Sequence, residues 1–280
     1  MEKKQSESIR NQRRPKGIVS ELTINLLHVK NPWVTAFWSA LFPGLGFLIM
    51  GSYIKGFLLI IGATIANSMA HINEAIIYGF TGQTTLVKQV LDTRWLLFYA
   101  PLQLFATWSS YQLTVDLNKY ALLAAREDSS IAPFKIGTWD IGFIDKRNPW
   151  VAAVWSLLMP GLGHLYSHRI PTSFYLLTWW IGVSYMSHLL PAIHQTLLGN
   201  FPQAIAAIRP EWFLYLVAIY PFSAYDAYVN TVQYNILFDE EQSRFLTDNY
   251  QNPKFPMPEM NNETISLSPC FTAKRQGSEF

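Results

Sequence analysis

The chain has 280 residues, 50% hydrophobic, 15% aromatic and only 14% charged, well under the quarter of charged residues usual for a soluble globular domain. That balance points to an integral membrane protein. A net charge of +2, with no basic face interleaved with aromatic residues, argues against nucleic acid as a partner, and the lone Cys270 offers no intrachain disulfide.

Residues 1–23 form a basic arm, expected on the cytoplasmic side. The first long apolar run opens only near Trp33, with no small-residue cleavage site behind it, so the run is expected to be retained rather than removed as a signal. That run contains NPWVTAFWSALFPGLG at 31–46, which returns as NPWVAAVWSLLMPGLG at 148–163 with twelve of sixteen positions identical. Sliding the chain by 117 residues keeps matching without a gap: Phe57 falls on Phe174, His71 on His188, Trp95 on Trp212, Tyr111 on Tyr228 and Asn118 on Asn235. A tandem internal duplication is therefore expected, with membrane repeats at 24–120 and 141–237 joined by a polar cytoplasmic linker at 121–140 that includes AAREDSS.

Each repeat carries three apolar segments: a first at 33–50 and 150–167, a second at 56–72 and 172–190, a third at 95–115 and 212–232. Between the second and third, HINEAIIYGFTGQTTLVKQVLDTR mixes charges into irregular apolar spacing, which predicts a surface-lying helix or ordered loop. The tail 238–280, with DEEQ, three prolines between 253 and 258 and NNET, reads as disordered and cytoplasmic.

Two topologies compete. If all three segments cross, giving six full spans, the repeats are inverted as in many transporters, and 14 of the 21 Lys and Arg residues fall on the cytoplasmic side. If the first segment is broken at Pro43-Gly44-Leu45-Gly46 and at Pro160-Gly161-Leu162-Gly163 and returns to the side it entered, 18 of the 21 are cytoplasmic. The positive-inside rule favours the second arrangement. Residues 33–42 agree, since they rise only about 15 Å, half of a hydrocarbon core. The expected fold is thus all-α: an integral membrane protein with four full spans, two broken segments that are re-entrant or interfacial, and both termini cytoplasmic. Backbone groups exposed by the Pro-Gly breaks must then be buried against protein. Trp33 and Trp150 open the first segments, and Trp95 and Trp212 the third, at expected interfaces.

PGLGFLIMGSY (43–53) and PGLGHLYSHR (160–169) resemble the glycine-rich motif of bacterial multi-pass membrane proteins of the two-transmembrane-domain type. The resemblance covers about 40 residues in each repeat and implies membrane residence; in that family the motif joins two membrane helices. Here the second segment lacks the acidic residue often found near the end of the family's second helix, and each repeat adds a third segment.

Candidate polar sites are few. His164 and His168 stand at i, i+4, a spacing that can present two imidazoles to a metal or haem, yet no carboxylate or cysteine accompanies them at ligand spacing, and an interfacial turn anchored at lipid headgroups is the expectation. His71 and His188 are repeat-equivalent and near membrane depth, which makes them a candidate proton-handling pair; capping of a helix end or a hydrogen bond to a neighbouring segment is the expected role. Asp226 is the only acid inside the third segments, with Ser109 as its counterpart, and a hydrogen bond to a nearby tyrosine is expected. Neither Pro-Gly loop continues into a phosphate-loop Lys-Ser/Thr. No catalytic residue, metal or cofactor is expected. The expected function is that of a scaffold, assembly or regulatory protein of a bacterial-type cytoplasmic membrane, acting on a protein partner or a second copy of itself within the bilayer. A small transporter or channel with its path on the pseudo-two-fold axis is the alternative, and a membrane enzyme using the histidines of the second repeat comes third.

Overall fold

The computed structural model describes residues 14–127, 131, 134–138 and 140–251. The first thirteen residues of the basic arm, Asp128 to Ser130 of the linker, Cys270 and the rest of the tail from residue 252 lie outside the described residues. The chain divides into two units, residues 1–242 and 243–280; in the second, the described residues continue a helix that ends at Tyr250.

The first unit is mostly helical, as expected, with twelve helices among the described residues. The first half begins with a short antiparallel hairpin, β1 (Gly17–Val19) and β2 (Ile24–Leu26). It continues with α1 (Pro32–Leu41), α2 (Leu45–Ile49), α3 (Tyr53–Ala70), α4 (Ile72–Phe80), α5 (Thr84–Val90) and the long α6 (Thr93–Glu127). The second half follows the same order: β3 (Phe134–Ile136), β4 (Ile141–Phe143), α7 (Pro149–Leu158), α8 (Leu162–Tyr166), α9 (Ile170–Met186), α10 (Leu189–Leu197), α11 (Phe201–Ala207) and α12 (Pro210–Tyr250). Every element starts 117 residues after its counterpart. The hairpins are a departure from the all-α expectation: their strands are three residues each, too short to register as an alternating apolar pattern.

The repeated motif has a physical reading letter by letter. Asn31 and Asn148 are N-caps whose side chains accept from the backbone N–H of Trp33 at 2.9 Å and of Trp150 at 3.0 Å, and the prolines that follow occupy the first helical position, where no N–H is missed. Gly44 and Gly161 reverse the chain with φ of +104° and +108°, a region that a Cβ disfavours. Gly46 and Gly163 serve close approach: a Cβ there would lie 2.3 Å from the Thr35 carbonyl oxygen and 2.0 Å from that of Ala152. Pro43 and Pro160 sit buried at the break.

Three helices turn mostly small or hydroxylic residues inward and large apolar residues outward. Along α3 the inward face is Gly56, Ile60, Ala63, Ala66, Asn67 and Ala70, while Ile54, Leu58, Ile61, Ile65 and Met69 form an outward stripe at helical spacing, 49–77% exposed. The same division recurs on α6, where Ala106, Ser110 and Thr114 are buried and Leu104, Phe105 and Trp108 exposed, and on α7, where Ala152, Ala153 and Ser156 are buried and Val154, Trp155 and Leu158 exposed. The largest core cluster joins the halves, packing Trp38, Phe42, Leu45, Leu48 and Ile60 against Leu176, Tyr215, Ile219 and Phe222.

Helix α3 is long and apolar enough to cross a membrane, and α11 with α12, bent by 91° at their junction, meets the same measure as a pair. Of the other segments expected to cross, α9 has 17 residues and α6 has 35, with Pro101 inside.

Candidate functional site: a buried ionic cluster

The second Pro-Gly turn positions the site. Gly161 N–H donates to Ser223 Oγ at 3.2 Å, and Ser173 Oγ–H donates to the Gly161 carbonyl at 2.8 Å, so the reversal is pinned to α12 and α9. The polypeptide then makes one turn of helix in α8, and His168 takes a left-handed φ of 58°, which throws Arg169 inward at the start of α9. Hydrogen bonds from Ile170 N–H to the Leu22 carbonyl (3.0 Å), and a β-bridge between Thr23 and Arg169, tie this corner to the first hairpin.

Arg169 and Asp226 meet there in a fully enclosed ion pair. Asp226 Oδ2 also accepts from His164 Nε2–H at 3.0 Å, and Oδ1 accepts from Asn230, one turn along α12, at 2.8 Å. A second nitrogen of Arg169 donates to the Leu48 carbonyl at 3.0 Å. Because Leu48 belongs to α2, the guanidinium links the two Pro-Gly elements directly. His164, Arg169 and Asp226 are at most 2% exposed. Since the carboxylate can only accept, His164 must carry its proton on Nε2, which leaves Nδ1 buried without a partner.

This geometry revises two expectations. Asp226 takes no hydrogen bond from a tyrosine: Tyr225 packs against Trp38 with ring centres 5.5 Å apart and Tyr228 against Trp150 at 5.1 Å, and one and two residues along a helix these side chains face about 100° and about 160° away from Asp226. His164 and His168 are not a headgroup-anchored turn. His164 is wholly buried, and the left-handed residue at 168 breaks the helix, so the imidazoles do not share a face; His168 Nδ1 lies 3.9 Å from Asp140. No group of three or more His, Cys, Asp or Glu is placed to hold a metal among the described residues.

His71 and His188 occupy the same special position, each with φ of 55°, where one helix ends and the next begins. Their role is in the backbone, and neither side chain makes a cap hydrogen bond. Both are exposed. His71 Nδ1 lies 3.3 Å from Glu74 in a cavity of about 300 Å³ that Glu211, Trp212 and Tyr215 also line. Asp226 is not part of that cavity.

Arg169 and Asn230 are the members that sequence reading missed. Their counterparts are Ser52 and Leu113, while Phe47 and Ser109 stand opposite His164 and Asp226. Four polar or charged residues of the second half thus replace residues that are apolar or hydroxylic in the first. That contrast between aligned copies was the available signal.

A second basic group lies nearby, before α1. Lys30 Nζ donates to His28 Nδ1 at 3.2 Å. Burial, then the Lys30 and Arg169 charges, pull the His28 imidazole down to about 3, and burial with Arg169 lowers the Lys30 ammonium to about 8. His28 is therefore neutral at pH 7 and Lys30 a cation. Comparison with family models, with curated proteins and with solved structures found no match to this chain.

Proposed function

We propose that this chain is an integral membrane protein built by internal duplication and that it is non-catalytic, serving as a scaffold, assembly or regulatory factor through contacts on its outer surface. The outward apolar stripe of α3 carries the membrane reading. A soluble protein seldom exposes a contiguous apolar stripe of this length, whereas membrane helices turn large apolar residues to lipid and small or hydroxylic residues to one another. In this reading α3, α6, α9 and α12 cross and the α1–α2 and α7–α8 segments enter and return, so that both termini are cytoplasmic. The backbone of 42–49 is buried against protein, as a break at membrane depth requires. The likeness of the PGLG segments to the bacterial two-transmembrane-domain type is consistent with this placement.

The non-catalytic reading rests on the interior. Aromatic and aliphatic side chains fill the space between the halves, and the Asp226 carboxylate is taken up by Arg169, His164 and Asn230. A transport path would string His71, His188 and Asp226 along one polar cavity; Asp226 is enclosed and His71 opens elsewhere. Contacts with a partner are then left to the lipid-facing surface and the cytoplasmic ends.

Cysteine mapping on a Cys270→Ser background tests the placement. Gln83→Cys should label from outside intact cells, and Ser52→Cys and Asp116→Cys only after permeabilisation; labelling of Ser52→Cys from outside would mean that α1 and α2 cross. Photo-crosslinkers at Leu104, Val154 and Ile181 should capture one defined membrane protein or a second copy. Adducts to lipid alone at all three sites would count against the scaffold reading.

A further inference from the structure

Lys30 has an internal control in Arg147, its counterpart 117 residues on. Both residues are held by the same backbone clamp: the Lys30 N–H donates to Asn118 and its carbonyl accepts from Asn118, at 2.9 and 2.7 Å, and Arg147 exchanges the same two bonds with Asn235. Their charged ends differ. Arg147 donates to the Tyr166 carbonyl and lies over the rings of Phe143 and Tyr166, each centre 5.5 Å from its Cζ. At the corresponding positions the first half has Leu26 and Ile49, which offer Lys30 neither an aromatic face nor an aromatic roof. Among the described residues no carboxylate lies within ion-pair distance of Lys30.

Cavities open in its place. Two spaces of about 250 and 140 Å³ both carry His28 and Lys30 in their walls, each several times the ~30 Å³ one water takes in the liquid. Neither wall includes an acidic residue. What they do include is donors. Lys30 keeps two ammonium N–H groups after bonding His28; because His28 Nδ1 accepts from an ammonium, its proton is on Nε2, free to donate. Asn31 and Gln233 add amides to the smaller space. The second half has Asp145 where the first has His28, so the first copy alone presents a pair without negative charge.

We infer that the His28–Lys30 pocket is a binding site for a phosphate group, held by the Lys30 ammonium and the neutral His28 imidazole at the foot of α1. A tetrahedral dianion or a phosphodiester matches a compact cation with convergent N–H donors. The group comes either from free phosphate or from an anionic lipid headgroup, since Lys30 stands three residues before Trp33, an interface marker in the proposed topology. Only the second source depends on the membrane reading.

The test uses the full chain with two probes. Inorganic phosphate is titrated calorimetrically against delipidated protein in neutral detergent, and retention of phosphatidylglycerol is counted by native mass spectrometry after extraction from phosphatidylcholine nanodiscs containing phosphatidylglycerol. Lys30→Gln should weaken whichever probe binds by about tenfold or more, the scale of a charge-assisted hydrogen bond. His28→Asp, which copies the second half, should do the same with an unchanged melting temperature, while Lys119→Gln at an exposed lysine changes nothing. Phosphate binding sensitive to Lys30 assigns a free ligand; retained phosphatidylglycerol sensitive to Lys30, without phosphate binding, assigns a lipid headgroup. Failure of both probes to bind parent protein, or equal loss in the Lys30→Gln and Lys119→Gln variants, overturns the site.

Discussion

Replacing Arg169 by Ser gives the second half the residue that the first half has at Ser52, and it leaves Asp226 buried with only His164 and Asn230 as partners. Removing one member of a buried ion pair typically costs about 3–5 kcal/mol, because the other charge is left without compensation. The lost Arg169 bond to the Leu48 carbonyl acts in the same direction. For a folded unit of this size, 1 kcal/mol moves the melting temperature by roughly 2–4 °C, so Arg169→Ser should melt about 10 °C lower in detergent, followed by tryptophan emission. The paired change Arg169→Met with Asp226→Leu removes both charges and keeps much of the volume, and apolar replacements of whole buried pairs are often near neutral. A double-mutant cycle should therefore give a coupling of several kcal/mol between the two sites. If Arg169→Ser melts within 2 °C of the parent, or the double variant loses the sum of the two single losses, the cluster does not hold the halves together.

Gly46→Ala and Gly163→Ala should each cost more than about 2 kcal/mol, since the new Cβ meets a backbone carbonyl that cannot move aside; Gly182→Ala, with open space around it, should gain a few tenths to about 1 kcal/mol by helix propensity, all read as melting temperatures. His164→Phe, which copies Phe47, should cost less than about 1.5 kcal/mol, because Asp226 keeps Arg169 and Asn230 and the partnerless Nδ1 is removed. His28 is held near 3 in the folded chain against 6.5 when unfolded, so the unfolded chain binds the proton first on acidification. Stability should be intact above pH 6.5 and decline as pH falls toward 3, by about 1 kcal/mol at pH 5 after allowance for partial exposure; His28→Asn should flatten that slope in pH-dependent melts.

Much of the skeleton is legible in the sequence because the motif encodes backbone conformation locally. Asn-Pro-Trp states an N-cap and a first helical residue, and Pro-Gly-Leu-Gly states a reversal followed by a close approach; each depends on atoms a few residues apart. The 117-residue displacement carries over to every element because those local signals recur in both copies. The hairpins escaped notice for the opposite reason: three residues per strand give no period, and the pairing of the first is set by the Ser20–Thr23 turn, where Thr23 N–H donates to Ser20 Oγ at 3.1 Å. The ionic cluster escaped notice because it joins residues 57 and 62 positions apart. Arg169 looked like a charge near an interface, and only the fold shows that it turns inward.

Comparing the copies locates what each half does differently. The shared skeleton is built from caps, reversals and small inward residues, and either half satisfies those demands with the same letters. Charge is not shared: the second half buries an arginine, an aspartate and a histidine where the first has Ser52, Ser109 and Phe47, while the first half leaves a lysine beside a cavity where the second roofs an arginine with aromatic rings. A buried pair contributes little to stability relative to an apolar core, so its role here is better explained by specificity. Arg169 reaches the Leu48 carbonyl only when the start of α9 sits in this one register against α2. The Arg169–Leu48 bond thus joins the halves beside the apolar seam of Trp38, Phe42 and Leu45 on Leu176, Ile219 and Phe222, and Asn230, which donates to Asp226, also lines the smaller Lys30 cavity.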